Sequence, residues 1–380
     1  MPWMTDLFYD RSLDSDVRGP FSSRPLSEIC IPGTHDSGCY VDHVFNAWGR
    51  TQTLNVADQL AGGIRYFDIR PCFYRGEIYT YHGFGYYGDR LDGPHGILSQ
   101  IRNFMQSLAS TDRELVVLNI SHFYNFTNVQ HDTLIDVING EIGGYIVSRA
   151  QSQINLFDTP YDQLLSDTRG VRSRVAILYD GALDQNRLEY VEELIDAGGL
   201  PAGFFVLAPK YAMRGRDMYL FDQYANRMKV EDSFLRSGMR SDQLEKLWRR
   251  DEFPYTKKDW AKSLDDQNWY LNRPRGVPST LHLLSWTLTP QPFNPLPYAQ
   301  QYANPALCEF FSNRENWRSE SRPAGGYYDA LYDPQINIIY TDDFSSETHI
   351  NPGSPWHGMA LPVAIAARIN VGPVGPENTW

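Results

Sequence analysis

Four short runs leave few folds open to this chain: Leu115-Val116-Val117-Leu118-Asn119-Ile120, Arg174-Val175-Ala176-Ile177-Leu178, Leu281-His282-Leu283-Leu284-Ser285-Trp286 and Ile336-Asn337-Ile338-Ile339-Tyr340. Each is short for a helix and largely apolar on both faces, as a strand buried on both sides of a parallel sheet must be. Phe204-Phe205-Val206-Leu207 is a fifth. Helical patterns precede, separate and follow them. Asn55 to Leu60 closes at Gly62-Gly63, Ile97, Ile101, Phe104, Met105 and Leu108 recur at helical spacing, a helix is expected near 129–138, and a last one over Leu361 to Asn370. Strands alternating with helices imply a parallel sheet, which right-handed crossovers close readily into a barrel.

A 380-residue chain can bury a full core. We expect an N-terminal arm over residues 1–27, with Trp3, Leu7, Phe8 and Tyr9 as docking points, then one domain over 28–370 and a tail over 371–380. The stretch from about 210 to 275 is too charged and aromatic to be barrel wall throughout. It reads as an insertion flanking the mouth, with a charged surface helix from Asp242 to Arg250, and 290–304 reads as a proline-rich loop. A net charge of −12 argues against nucleic acid and against strong attraction to anionic membranes. No apolar run approaches the roughly 20 residues needed to span a bilayer. The N-terminus carries no secretion signal, so a cytoplasmic protein and a mature secreted form are both compatible with it. Cys30, Cys39, Cys72 and Cys308 lack zinc-like spacing and read as free thiols. We expect a monomer.

Ile29-Cys30-Ile31 breaks at Pro32-Gly33 and at once presents Thr34-His35-Asp36-Ser37. From Tyr66 to Arg70 the chain alternates, putting Tyr66, Asp68 and Arg70 on one face. Charges on an inward face are costly unless they pair or work. Tyr79 to His82 then ends at Gly83. A barrel carries its active site at the C-terminal strand ends, and His35, Arg70, His82, His122, Asp180 and Asp343 all fall there. Taken alone, Asp36 could equally cap the following segment.

IPGTHDSG (31–38), WGRTQ (48–52), QLAGGIRYFDIR (59–70), YHG (81–83) and, more weakly, IIYTDDF (338–344) together resemble the catalytic X domain of phosphatidylinositol-specific phospholipase C, its bacterial metal-independent branch above all. The resemblance is dense from about 28 to 122 and patchy after mid-chain. It implies an α/β fold, an irregular (β/α)8 TIM-type barrel with an elaborated middle and C-terminal half. It also implies that His35 is the general base on the inositol 2-hydroxyl and His82 the general acid on the departing diacylglycerol, giving inositol 1,2-cyclic phosphate. Arg70 would hold a phosphoryl oxygen, Asp36 would orient Arg70 and keep His82 protonated, and Asp68 would stand near His82. A carboxylate from the last strand would orient His35: Asp343, with Asp342 the competitor if the alignment slips by one. On the substrate side we expect His122, Tyr179 and Asp180.

In the calcium-dependent branch carboxylates replace the arginine, so Arg70 implies activity without metal and disfavours calcium. The expected partner is a phosphoinositide or related phosphodiester, with transient membrane contact compatible. The lysine and arginine that hold inositol hydroxyls in bacterial members are absent; Ser121-His122-Phe123 and Tyr179-Asp180 stand there. Two alternatives therefore stay open: a phosphodiesterase acting on another phospholipid or a glycerophosphodiester, and a catalytically silent X-like binding domain.

Overall fold

The computed structural model describes residues 2–9, 21–42, 49–83, 86–148, 156, 159–179, 203–207, 219–221, 239–240, 243, 280–288, 295–312, 336–349 and 356–371. Strand β1, Ile31–Thr34, runs through Pro32 and Gly33 instead of stopping at them. Gly33 is needed by close packing: a Cβ there would meet Tyr66 Cδ1 at 2.8 Å. Pro32 still accepts a bond from the Arg65 amide, at 3.0 Å. Its missing donor would point to the same side, before the pairing Gly33↔Tyr66 begins, so no ladder bond is lost.

The remaining strands are β2 Tyr66–Ile69, β3 Pro71–Tyr74, β4 Glu77–His82, β5 Tyr86–Arg90, β6 Leu115–Ile120, β7 Ser166–Asp167, β8 Gly170–Val171, β9 Arg174–Tyr179, β10 Phe204–Val206, β11 Tyr219–Phe221, β12 Thr280–Trp286 and β13 Ile338–Thr341. Eight form one sheet in the order β10-β9-β6-β2-β1-β13-β12-β11. Every pair in it is parallel. Its edge strands, β10 and β11, are neighbours in sequence, and no hydrogen bonds join them among the described residues. The fold is thus an irregular α/β barrel with a seam. β6 and β9 are buried at every position, which accounts for their unbroken apolar runs.

Helices cover the outside. Among them are α1 Trp3–Tyr9, α2 Val56–Ala61, α3 Ile97–Ser107, α4 Asn128–Ile142 and α5 Tyr161–Leu165. The Asn55 side chain caps α2 by accepting from the Asp58 amide. On the far side, Trp286 and Ile339 of β12 and β13 pack with Leu307, Phe310 and Ile365. Ile365 belongs to the C-terminal helix Leu361–Val371.

α1 docks at the opposite end of the barrel from the motif residues. Trp3 donates to the Gly63 carbonyl at 2.7 Å, just before β2. Thr5 donates through both its amide and hydroxyl to Glu114, just before β6, at 2.7 Å. Glu114 also holds Arg65 at 2.8 Å, and both side chains are fully buried.

One further expectation changes here. Residues 295–312, expected in part as loop, are helical: Pro295–Tyr298, a π-helical turn Ala299–Ala303, then Asn304–Ser312. Pro295 and Pro297 fall in a first turn, where amide donors are not needed. Before Pro305, which lacks a donor, the bonding widens to Asn304 amide on Ala299 carbonyl. Of the helix expected over Asp242 to Arg250 only Gln243 is described; the rest of it, most of the 210–275 stretch and the tail after 371 lie outside the described residues.

Candidate active site

β1 delivers His35 just beyond its last residue, where the His35 amide still bonds to the Thr341 carbonyl at 3.0 Å. Gln52 bridges β1 and β13 by donating to the carbonyls of His35 and Thr341, at 3.0 and 3.1 Å. Asp36 turns left-handed, with φ of 42°. Thr51 Oγ1 and the Cys39 amide hold its carbonyl at 3.0 and 2.8 Å. Strained backbone held from several sides is common at functional sites.

β2 sends Tyr66, Asp68 and Arg70 to one face, as its alternation implies. The antiparallel meander β3-β4-β5 leaves directly after Arg70 and folds back, so that His82 at the end of β4 returns to the same mouth. The His35 and His82 rings meet edge to face, with centroids 5.7 Å apart.

Asp36 is the hub. Its Oδ1 lies 2.7 Å from Arg70 Nε, and its Oδ2 lies 3.2 Å from His35 Nε2 and 3.4 Å from His82 Nε2. Arg70 also grips Asp68 at 2.9 Å. Asp68 accepts from the Tyr340 hydroxyl and, at 3.4 Å, from Ser121 Oγ. On the other side of the His35 ring, Nδ1 lies 2.8 Å from Asp342 Oδ1.

Burial penalises charge on His35, yet the carboxylates of Asp36 and Asp342 outweigh it and raise its pKa. His82 goes the other way: burial, then repulsion from His35 and Arg70, pushes it down to about 3. Burial and then Arg70 likewise press His122 to about 3. Burial raises Asp36 against the pull of Arg70, whereas Asp68 is held low despite burial, chiefly by Arg70.

The structure brings together His35, Asp36, Asp68, Arg70 and His82, with His122 at the edge. The carboxylate on His35 is Asp342, not Asp343. β13 continues to Thr341, so Asp342 keeps the inward parity of Tyr340. Asp343 has φ of 41° and turns away to Thr53 and to Gln300, the latter at 2.6 Å. Tyr179 also leaves the expected set. It is wholly buried, and its hydroxyl bonds to His131 Nδ1 of α4 at 2.6 Å, facing the helix layer. Asp180 lies outside the described residues. His122 has φ of 53° and uses its carbonyl to accept from Tyr81, at 2.6 Å. Sequence reasoning missed Gln52, Ser121 and Tyr340. Tyr340 was findable by counting two back from the carboxylate; Gln52 stands in the WGRTQ run and Ser121 beside His122, but neither run assigns them a role.

Calcium takes six to eight oxygen ligands. This mouth offers two imidazole nitrogens, His35 Nε2 and His82 Nε2, beside its central carboxylate, and nitrogen donors do not suit that ion. The four cysteines are free, three of them buried. No described helix is long and apolar enough to cross a membrane.

No family model matches the sequence. It is 32% identical over 149 residues to "PI-PLC X domain-containing protein 3" of Danio rerio, covering 31% of this chain and 44% of that protein. It is 36% identical over 74 residues to "1-phosphatidylinositol phosphodiesterase" of Staphylococcus aureus (strain Newman), covering 17% and 24%. The chain thus matches less than half the length of either relative. A solved structure of phosphatidylinositol-specific phospholipase C from Staphylococcus aureus superposes with a TM-score of 0.50 at 14% identity, covering 98% of this chain and 97% of that one. At that identity the likeness speaks to the fold.

Proposed function

We propose, from the premise that this chain is a distant relative of the PI-PLC X-domain proteins with the fold of the bacterial enzymes, that it is a phosphodiesterase of phosphatidylinositol-specific phospholipase C type. One observation carries the reading: His35 and His82 stand 5.7 Å apart about a carboxylate that also holds the Arg70 guanidinium. Phosphodiester cleavage by a neighbouring hydroxyl needs a base, an acid and a cation at the phosphoryl oxygens. His35, with Nδ1 fixed by Asp342, turns Nε2 to the mouth and takes the proton of the attacking 2-hydroxyl. His82 Nε2 gives a proton to the departing glycerol oxygen. Arg70, locked by Asp36 and Asp68, meets a non-bridging oxygen with its planar fork.

At rest the imidazole charges stand opposite to these roles, since His35 is raised and His82 lowered. A phosphodiester monoanion on Arg70 offsets the guanidinium's push on His82 and favours its protonated form. The pair then titrates as a unit, and the reactive arrangement is one microstate of its singly protonated form.

No lysine or arginine follows β6 to hold a headgroup by charge; Ser121, His122 and Phe123 stand there. Ser121 and His122 favour a headgroup read by neutral hydrogen bonds, or a phosphodiester other than phosphatidylinositol. A phosphodiester panel followed by phosphorus NMR tests both levels. Inositol 1,2-cyclic phosphate supports the first reading, and turnover of another diester redirects the substrate. Inertness of the whole panel leaves a binding domain.

A further inference from the structure

We infer that His35, His82 and Asp36 form a zinc-selective inhibitory site, which regulates the same centre and takes its inhibitory meaning from the phosphodiesterase reading. Zinc binds imidazole nitrogen and carboxylate oxygen at about 2.0–2.1 Å, which makes the ligand-to-ligand edge of a tetrahedron about 3.3 Å. Asp36 Oδ2 lies 3.2 Å from His35 Nε2 and 3.4 Å from His82 Nε2. One ligand atom from each residue falls within 4.8 Å of the others. Two edges of the ligand triangle are thus at metal-binding length already.

Three further features favour a metal here. Among the described residues Asp36 Oδ2 is buried without an aligned hydrogen bond and has the longer approaches of the two imidazoles. The His35 ring is oriented from behind by Asp342 on Nδ1. A carboxylate behind a ligating histidine is the usual outer partner in zinc sites. Charge also balances: a dication with Arg70 offsets Asp36, Asp68 and Asp342. Binding forms one bond from zinc to Nε2 of each imidazole and one to Asp36 Oδ2. Any proton on Nε2 passes to solvent, and a water completes the fourth position. The metal ties up both Nε2 atoms, the ones that must accept and donate protons, so occupancy and turnover exclude one another. Calcium, which wants oxygen, is not held.

Zinc chloride alone, titrated calorimetrically into the chelator-treated full chain at neutral pH, tests the site. One zinc per chain is expected, with calcium giving no heat. His82→Ala and Asp36→Asn should each weaken zinc at least about tenfold, and Asp342→Asn about 10–100-fold. Cys308→Ser, which removes the exposed thiol, should bind zinc like the parent. Circular dichroism of each variant separates lost ligands from lost folding, and cobalt absorption of the folded variants reports the ligand set directly. Binding unchanged in His82→Ala and Asp36→Asn, or lost in Cys308→Ser, overturns the site. So does zinc that raises turnover. Zinc held as described by a protein inert towards every diester would leave the site standing and sink the phosphodiesterase reading. Turnover without zinc binding would do the reverse.

Discussion

His35 Nδ1 lies 2.8 Å from Asp342 Oδ1, while the next residue, Asp343, points the other way to Thr53 and Gln300. Two adjacent carboxylates therefore have separable roles. Asp342→Asn should lower kcat by about 10²-fold or more and leave the melting temperature nearly unchanged, because the ring loses its orienting anion. Without that anion the His35 pKa falls, so the alkaline limb of the pH–rate profile moves to lower pH. Asp343→Ala should lower stability by about 1–3 kcal/mol, with a lower melting temperature, and spare kcat of the folded protein. Equal effects in both variants would contradict the assignment.

Arg70→Lys should cost about 10²-fold in kcat/KM even though the charge survives. Lysine's single ammonium cannot hold Asp36, Asp68 and a phosphoryl oxygen together as the planar fork can. Steady-state kinetics on the best diester of the panel decides it, and parent-like turnover would remove Arg70 from the phosphate site.

His122 supplies a pH signature. Burial holds its folded pKa at about 3, while the unfolded chain takes up the proton near the ordinary value of 6.5. Between those limits the unfolded state binds more protons, so this residue's contribution destabilises the fold as pH falls. The slope is on the order of 1 kcal/mol per pH unit. His122→Asn should therefore lose less stability than the parent between pH 6 and pH 4 in urea titrations. Parallel stability curves would show that His122 is charged in the fold.

At the opposite end of the barrel, Glu114→Ala leaves the buried Arg65 without its carboxylate and removes the acceptor for Thr5. A loss of about 3–5 kcal/mol is expected. Activity per folded molecule should hold, since α1 docks far from His35. Chemical denaturation and active-site titration measure the two separately.

Local patterns carried much of this molecule. Alternation alone put Tyr66, Asp68 and Arg70 on one face of β2, and the apolar runs of β6 and β9 announced strands buried on both sides. The same period-two rule, applied to β13, selects Tyr340 and Asp342. Asp343 is preferred over Asp342 only while the strand's last residue is unknown. Tyr179 misleads for a related reason: its parity turns it to His131 of α4 and to Phe123 of the loop before that helix, and sequence does not say which parity is inward in a strand buried on both faces. The arm's docking residues were readable at Trp3, Leu7 and Phe8, but not their target, because Gly63 and Glu114 lie about 60 and 109 residues further along. Prolines hid the helical turns after 295, where they are tolerated for want of needed donors.

The central claim is that His35, His82 and Arg70 surround one phosphorus. A crystal structure with a short-chain phosphonate analogue of phosphatidylinositol tests it most directly. The account predicts the phosphonate oxygens within hydrogen-bond reach of Arg70 and of His82 Nε2, with the inositol 2-hydroxyl against His35 Nε2. A phosphonate bound away from these three groups, under conditions where the analogue inhibits turnover, would contradict it.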